Sequence, residues 1–154
     1  MAVPLVIDGY NLLYALGEGP DREARERLTR DLIRYARQRG RPVVLVFDAW
    51  AQGGQGEQEV ARGPVLVLYT RRGERADERI RRWVAARREA VVVTSDRAVV
   101  RGVERLGAAT LSAGAFAERL AAALAPAEEG DEGDEPSLPA RPHGGGRRAW
   151  LRGL

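Results

Sequence analysis

The chain contains no cysteine and no lysine. The first absence removes disulfides, thiolate metal sites and sulfur nucleophiles together, and suits a reducing compartment such as the cytoplasm. The second removes the phosphate-gripping lysine of a P-loop and the lysine that faces the phosphorylated aspartate of receiver-type domains. Histidine occurs once, at His143, among glycines and arginines near the C-terminus. That disfavours a histidine zinc site and a Ser-His-Asp triad. Long apolar runs are also missing: none approaches the length needed to cross a membrane. The opening residues, Met1 to Asp8, have no basic region and meet an acid too early for a signal peptide. A soluble, cytoplasmic protein is the expectation.

What the chain has in quantity is arginine. All 25 basic residues are arginine, against 22 acids, for a formal charge of +3 over 154 residues and a sequence pI near 9.9. Residues 1–126 hold 21 arginines against 16 acids, a net of +5, whereas the remainder holds 4 against 6, a net of −2. Residues 22–41 and 71–88 each carry eight arginines and three acids. Such stretches are either solvated helix surfaces laced with ion pairs or positive faces for a polyanion.

Short valine-rich runs alternate with stretches of helical periodicity, the pattern of strand-helix units around a mainly parallel sheet. Residues 3–7, 43–47, 65–69 and 90–94 read as buried strands, with a weaker fifth at 108–111. Asp21 is an N-cap for a helix carrying Ala24, Leu28, Leu32, Tyr35 and Ala36 on one face, stopped by Gly40 and Pro42. Ala76, Ile80, Trp83 and Val84 mark a second helix. Val99 or Val100 with Val103 and Leu106 mark a third, and Phe116, Leu120 and Leu124 a fourth. The Gly- and Gln-rich segment from Ala49 to Gly63 reads as a loop. From residue 126 the composition turns acidic and glycine-rich, then basic and aromatic, as in a flexible tail. One domain over 1–125 and a tail over 126–154 are therefore expected.

In an open α/β sheet ligands gather beyond the carboxyl ends of the strands. Asp8 follows the first strand, Asp48 the second and Asp96 the fourth, while Asp77 and Glu78 open the helix after the third. Each has a structural reading: Asp8 before Gly9 as a turn residue, Asp77 and Asp96 at helix N-termini, Asp48 as a cap or turn. Together they read differently. Carboxylates crowded at one edge repel, and a hard divalent cation, Mg²⁺ or Mn²⁺, relieves that repulsion. Asn11 offers an amide donor and acceptor close by, or starts a helix. Thr94 and Ser95 stand ready to hold a water or a phosphate oxygen, with an N-cap as the alternative for Ser95. Arg71, Arg72 and Arg75 precede Asp77 and are placed to neutralise phosphates, or form a solvated charge run. Tyr10 and Trp50, beside Asp8 and Asp48, either stack on unpaired bases or pack in the core.

Four pieces in this order, Val6-Ile7-Asp8-Gly9-Tyr10-Asn11, Val44-Leu45-Val46-Phe47-Asp48-Ala49, Thr70 with Ala76-Asp77-Glu78-Arg79-Ile80, and Val93-Thr94-Ser95-Asp96, resemble the YacP-like branch of the NYN domain family, relatives of PIN-domain nucleases. The resemblance covers most of residues 3–124. It implies a PIN-like three-layer α/β sandwich, with a mainly parallel sheet of about five strands and helices on both faces. It also implies cleavage of RNA phosphodiesters with Mg²⁺ or Mn²⁺ held by Asp8, Asp77 and Asp96, supported by Asp48 and Asn11. A ribosome-associated endoribonuclease acting on messenger RNA belongs to this branch, so single-stranded mRNA and the ribosome are the implied partners. The rival is a catalytically silent RNA- or ribosome-binding adaptor. A haloacid-dehalogenase-like phosphohydrolase would need a second aspartate two positions after Asp8, where Tyr10 stands.

Overall fold

The computed structural model of the chain describes residues 2–48, 57–87 and 89–126. Six strands form one sheet: β1 (Leu5–Asp8), β2 (Val43–Phe47), β3 (Gln58–Arg62), β4 (Val65–Tyr69), β5 (Val91–Val93) and β6 (Ala109–Leu111). Five helices accompany them: α1 (Gly9–Ala15), α2 (Arg22–Arg39), α3 (Ala76–Arg87), α4 (Arg97–Glu104) and α5 (Ala113–Leu124). The strand order is β3-β4-β2-β1-β5-β6, parallel throughout except for the antiparallel pair β3–β4.

The valine runs form strands because β-branched side chains suit a pleated surface covered on both sides. Successive residues point to opposite faces, and each face has its own core. Leu5, Ile7, Leu45, Phe47 and Val93 pack against α1, α2 and α5 through residues such as Leu12, Leu32, Tyr35 and Phe116. Val6, Val44, Val46 and Val92 pack against α3 and α4 through Ile80, Trp83, Val99 and Val103. The expected three layers are thus present.

Two elements lie where none was expected. β3 falls within the segment read as a loop, because all its residues are exposed or half-buried and no apolar run marks it. It is an edge strand, joined to β4 by a two-residue turn in which Gly63 takes φ 60°. The sheet therefore has six strands rather than about five. α1 begins directly after β1 and has no capping side chain to announce it. The helix α4 also stops short of Leu106, which is 39% exposed and not part of the expected stripe.

The topology sets the place for a site. From β1 the chain builds outward through α2 to β2 and β4, then α3 carries it back across to β5 on the other side of β1. The chain connections run to opposite sides of the β1–β5 pair, so the carboxyl ends of these strands are the topological switch point, where such sheets carry their crevice.

Candidate functional site

Asp8 ends β1 at that crevice and occupies the N-cap position of α1, yet its side chain makes no capping bond. Gly9 explains the tight passage from strand to helix. A Cβ at Gly9 would overlap the Phe47 ring and lie 2.9 Å from the Val46 carbonyl oxygen, so only glycine lets α1 start this close to β2. Asp8 is a packed strand-to-helix junction, not the turn residue that Asp-Gly suggests.

The Asp8 carboxylate accepts a hydrogen bond from the Thr94 hydroxyl at 3.3 Å, and the Asn11 backbone N–H lies close enough to act on its charge without closing a capping bond. The Thr94 hydroxyl in turn accepts from the Asp96 N–H at 3.1 Å, which leaves its own proton for Asp8. Thr94 is fully buried at the end of β5. Burial pushes the Asp8 pKa up to about 6; the Thr94 bond and the nearby Asn11 N–H oppose that, and the charges of Asp48 and Asp96 add to it.

Asn11 and Ser95 hold the rest of the crevice. The Asn11 side-chain oxygen accepts from the Ser95 N–H at 2.6 Å, and the Ser95 hydroxyl accepts from the Ala113 N–H at 3.0 Å at the start of α5. The loop 94–96 is therefore tied to α1 on one side and α5 on the other. Asn11 is a positioning residue in this structure.

The remaining acids are partly engaged by the fold. Asp48 Oδ1 accepts from the Ala76 N–H at 2.6 Å, capping α3 from a strand 28 residues away. Burial raises the Asp48 pKa; that bond opposes the shift, neighbouring Asp77 and Glu78 add to it, and Arg75 counters them. Asp96 caps its own helix, accepting from the Ala98 N–H at 2.9 Å through Oδ1. Asp77 lies in the first turn of α3, 3.7 Å from Arg81. Among the described residues no three acidic or histidine side chains form a group able to enclose an ion as they stand. Asp8, Asp48 and Asp96 share one local field, with Asp77 bearing on Asp48. The ligand set Asp8, Asp77 and Asp96 does not stand assembled.

Of the candidate RNA contacts, Arg71, Arg72 and Arg75 are exposed on the β4–α3 loop. Arg71 lies 3.9 Å from Glu74, and Arg75 acts on Asp48. Tyr10 packs on Phe47 with ring centroids 5.0 Å apart, so its ring serves the core. Its buried hydroxyl sits beside the Arg25 guanidinium without a well-formed hydrogen bond. Trp50 lies outside the described residues. Arg25 was not singled out from the sequence; its spacing of three from Arg22, which places both on one face of α2, was the available signal.

A profile of the YacP-like NYN domain matches residues 5–137. The chain belongs to the YacP-like NYN domain family. The protein YacP of Bacillus subtilis (strain 168), described only as uncharacterized, is 34% identical over 88 residues, which is 53% of this chain and 51% of that protein. The chain thus aligns with about half the length of that curated relative. Two crystal structures of Rae1 (YacP) from Bacillus subtilis, one of a mutant, are 27% identical and superpose with TM-scores of 0.63 and 0.62. They cover 79% of this chain and 76% and 75% of theirs. This family domain is therefore a PIN-like α/β fold. Among the described residues no helix is long and apolar enough to cross a membrane.

Proposed function

We propose that this member of the family is a metal-dependent endoribonuclease that cuts single-stranded RNA, with Mg²⁺ or Mn²⁺ as cofactor. The observation that carries the reading is Asp8. It is a half-buried carboxylate at the topological switch point, held by the Thr94 hydroxyl, uncapped, and with acids rather than a cation as its charged neighbours. A charge kept there without a partner costs stability unless something positive arrives.

The donor set fits a hard divalent ion, since it consists of carboxylate oxygens with no sulfur or imidazole. Mg²⁺ keeps several waters and takes one or two carboxylates directly, so it does not require an assembled cage of three. Asp8 and Asp48 are the residues to hold it, and Asp96 and Asp77 complete the field. The caps of Asp48 and Asp96 use Oδ1 of each, and every carboxylate has a second oxygen to give. Once bound, such an ion supplies charge for a phosphate oxygen and a lower pKa for an attacking water. Thr94 orients Asp8, Asn11 keeps the 94–96 loop in place, and Arg75 with Arg71 and Arg72 neutralises flanking phosphates. Under this reading mRNA on the ribosome is the natural substrate and the cytoplasm the location, as the family resemblance implies.

One observation favours the rival adaptor: Asp48 and Asp96 are both engaged as helix caps. Metal dependence separates the two. The purified chain is expected to cleave single-stranded RNA with Mg²⁺ or Mn²⁺ and to stop on chelation. Asp8→Asn is expected to abolish cleavage while RNA binding persists. Cleavage at the wild-type rate in Asp8→Asn would rule the proposal out.

A further inference from the structure

A second concave feature, of about 470 Å³, lies between α2 and the β3–β4 hairpin. Val60, Val67 and Tyr69 line it with apolar surface, and Arg22, Arg25 and Arg62 bring three guanidinium groups to it. Its volume is within the range of small-molecule and nucleotide sites, about 300–1,000 Å³. Val60 is 40% exposed, an apolar side chain left facing this space.

The arginines are available. Arg62 pairs with both oxygens of Glu26 at 3.2–3.4 Å, but both partners are substantially exposed, so solvent screens the pair and a phosphate can compete for it. Arg25 commits Nη1 to the Pro20 carbonyl at 2.7 Å and keeps further N–H groups. Among the described residues Glu26 is the one acid on the lining, against three arginines. Gln58, on the lining, carries an amide with donor and acceptor for a base edge.

The groove reaches the same edge of the sheet as the acid site. α2 begins, and β4 ends, at the edge of the sheet where Asp8 and Asp48 lie. Phe47, the residue before Asp48, stacks on Tyr69 with centroids 6.0 Å apart and interplanar angle 22°. Tyr10 packs on the same Phe47, with its hydroxyl next to Arg25. Tyr10, Phe47 and Tyr69 are thus a packed aromatic row, with Arg25 and Asp48 both acting on Tyr10.

We infer that this groove binds the RNA strand next to the acid site, taking one nucleotide with its phosphate among Arg22, Arg25 and Arg62 and its base on Val60 and Tyr69. A guanidinium rim over an aromatic and aliphatic floor suits a nucleotide of an unpaired strand, whose base is free to stack. The inference rests on the ribonuclease reading for the identity of the ligand, and it extends the RNA surface beyond the β4–α3 loop.

The test is fluorescence anisotropy of the full chain with a labelled oligouridine in chelator, so that binding is read without cleavage. Arg22→Glu is expected to weaken binding about tenfold and to flatten the dependence of log K on log salt by about 1. An acid at this first-turn position favours the helix, so the loss would not come from unfolding. Glu26→Gln is expected to tighten binding several-fold, a change that a purely structural pair would not produce. Unchanged affinity in both variants overturns the groove. Failure of the groove and failure of the nuclease reading are separable. If the wild type cleaves and Asp8→Asn does not, while Arg22→Glu binds normally, only the groove falls. If the wild type never cleaves yet both groove variants shift binding as stated, the groove stands as an RNA site on a silent domain.

Discussion

Asp8 and Asp21 stand at the same position of a helix and do opposite work. Asp21 precedes α2, is exposed, and accepts the Ala24 N–H at 3.3 Å, as an N-cap should. Asp8 precedes α1, is half-buried, and closes no well-formed capping bond to α1. One carboxylate stabilises the helix it precedes; the other is held by a different strand through Thr94 and carries a raised pKa. The contrast shows that position relative to a helix does not decide a carboxylate's role. Burial and the absence of a cationic or capping partner do.

The largest expected effect that sharpens this contrast concerns pH. A carboxylate with a folded pKa raised from 3.8 to about 6 keeps its proton in the folded state while the unfolded chain has already lost it. Stability contributed at this site is therefore lost as pH rises from about 4 to 6, and above that window the full penalty, at most about 3 kcal/mol, is present. Asp8→Asn should remove this penalty, so in chelator the variant should be more stable than wild type at pH 7 and no more stable at pH 3.5. Denaturant melts at the two pH values check it, and a variant less stable at pH 7 would place Asp8 with Asp21 as a structural acid.

Next in size is the junction that keeps Asp8 in place. Gly9→Ala should cost about 2 kcal/mol, because the added methyl must displace the Phe47 ring or the Val46 carbonyl. Urea unfolding measures it, and a neutral result would mean that α1 is less tightly seated on β2 than its geometry implies. The smallest effect belongs to the ordinary cap. Asp21→Ala should cost about 1 kcal/mol and leave RNA cleavage untouched, read by the same urea titration and a nuclease assay.

Much of this arrangement was legible in the sequence, and the reasons are local. Strands such as Val43–Phe47 announce themselves because a two-sided core demands an unbroken apolar run. α2 was bounded correctly by Asp21 and by Gly40, which takes φ 59°. α1 was hidden because Gly9-Tyr10-Asn11 are poor helix formers and its start is imposed by packing on β2. β3 was hidden because an exposed edge strand buries no stripe. At the site, the acids were visible because each follows a strand or opens a helix. Their partnerships were not, since Asp48 reaches Ala76 and Thr94 reaches Asp8 across 28 and 86 residues. The reading of Arg71, Arg72 and Arg75 favoured neighbours of Asp77 in sequence, whereas Arg22, Arg25 and Arg62 come together only when α2 and the hairpin pack.

The most direct measurement is the shift in thermal midpoint produced by millimolar Mn²⁺ at neutral pH, in wild type and in Asp8→Asn. A cation that binds only the folded state raises its stability by mass action. If Asp8 is a carboxylate awaiting a metal, the wild-type midpoint rises by several degrees and the variant's does not move. An equal shift in both proteins would contradict the assignment of Asp8 as the centre of the site.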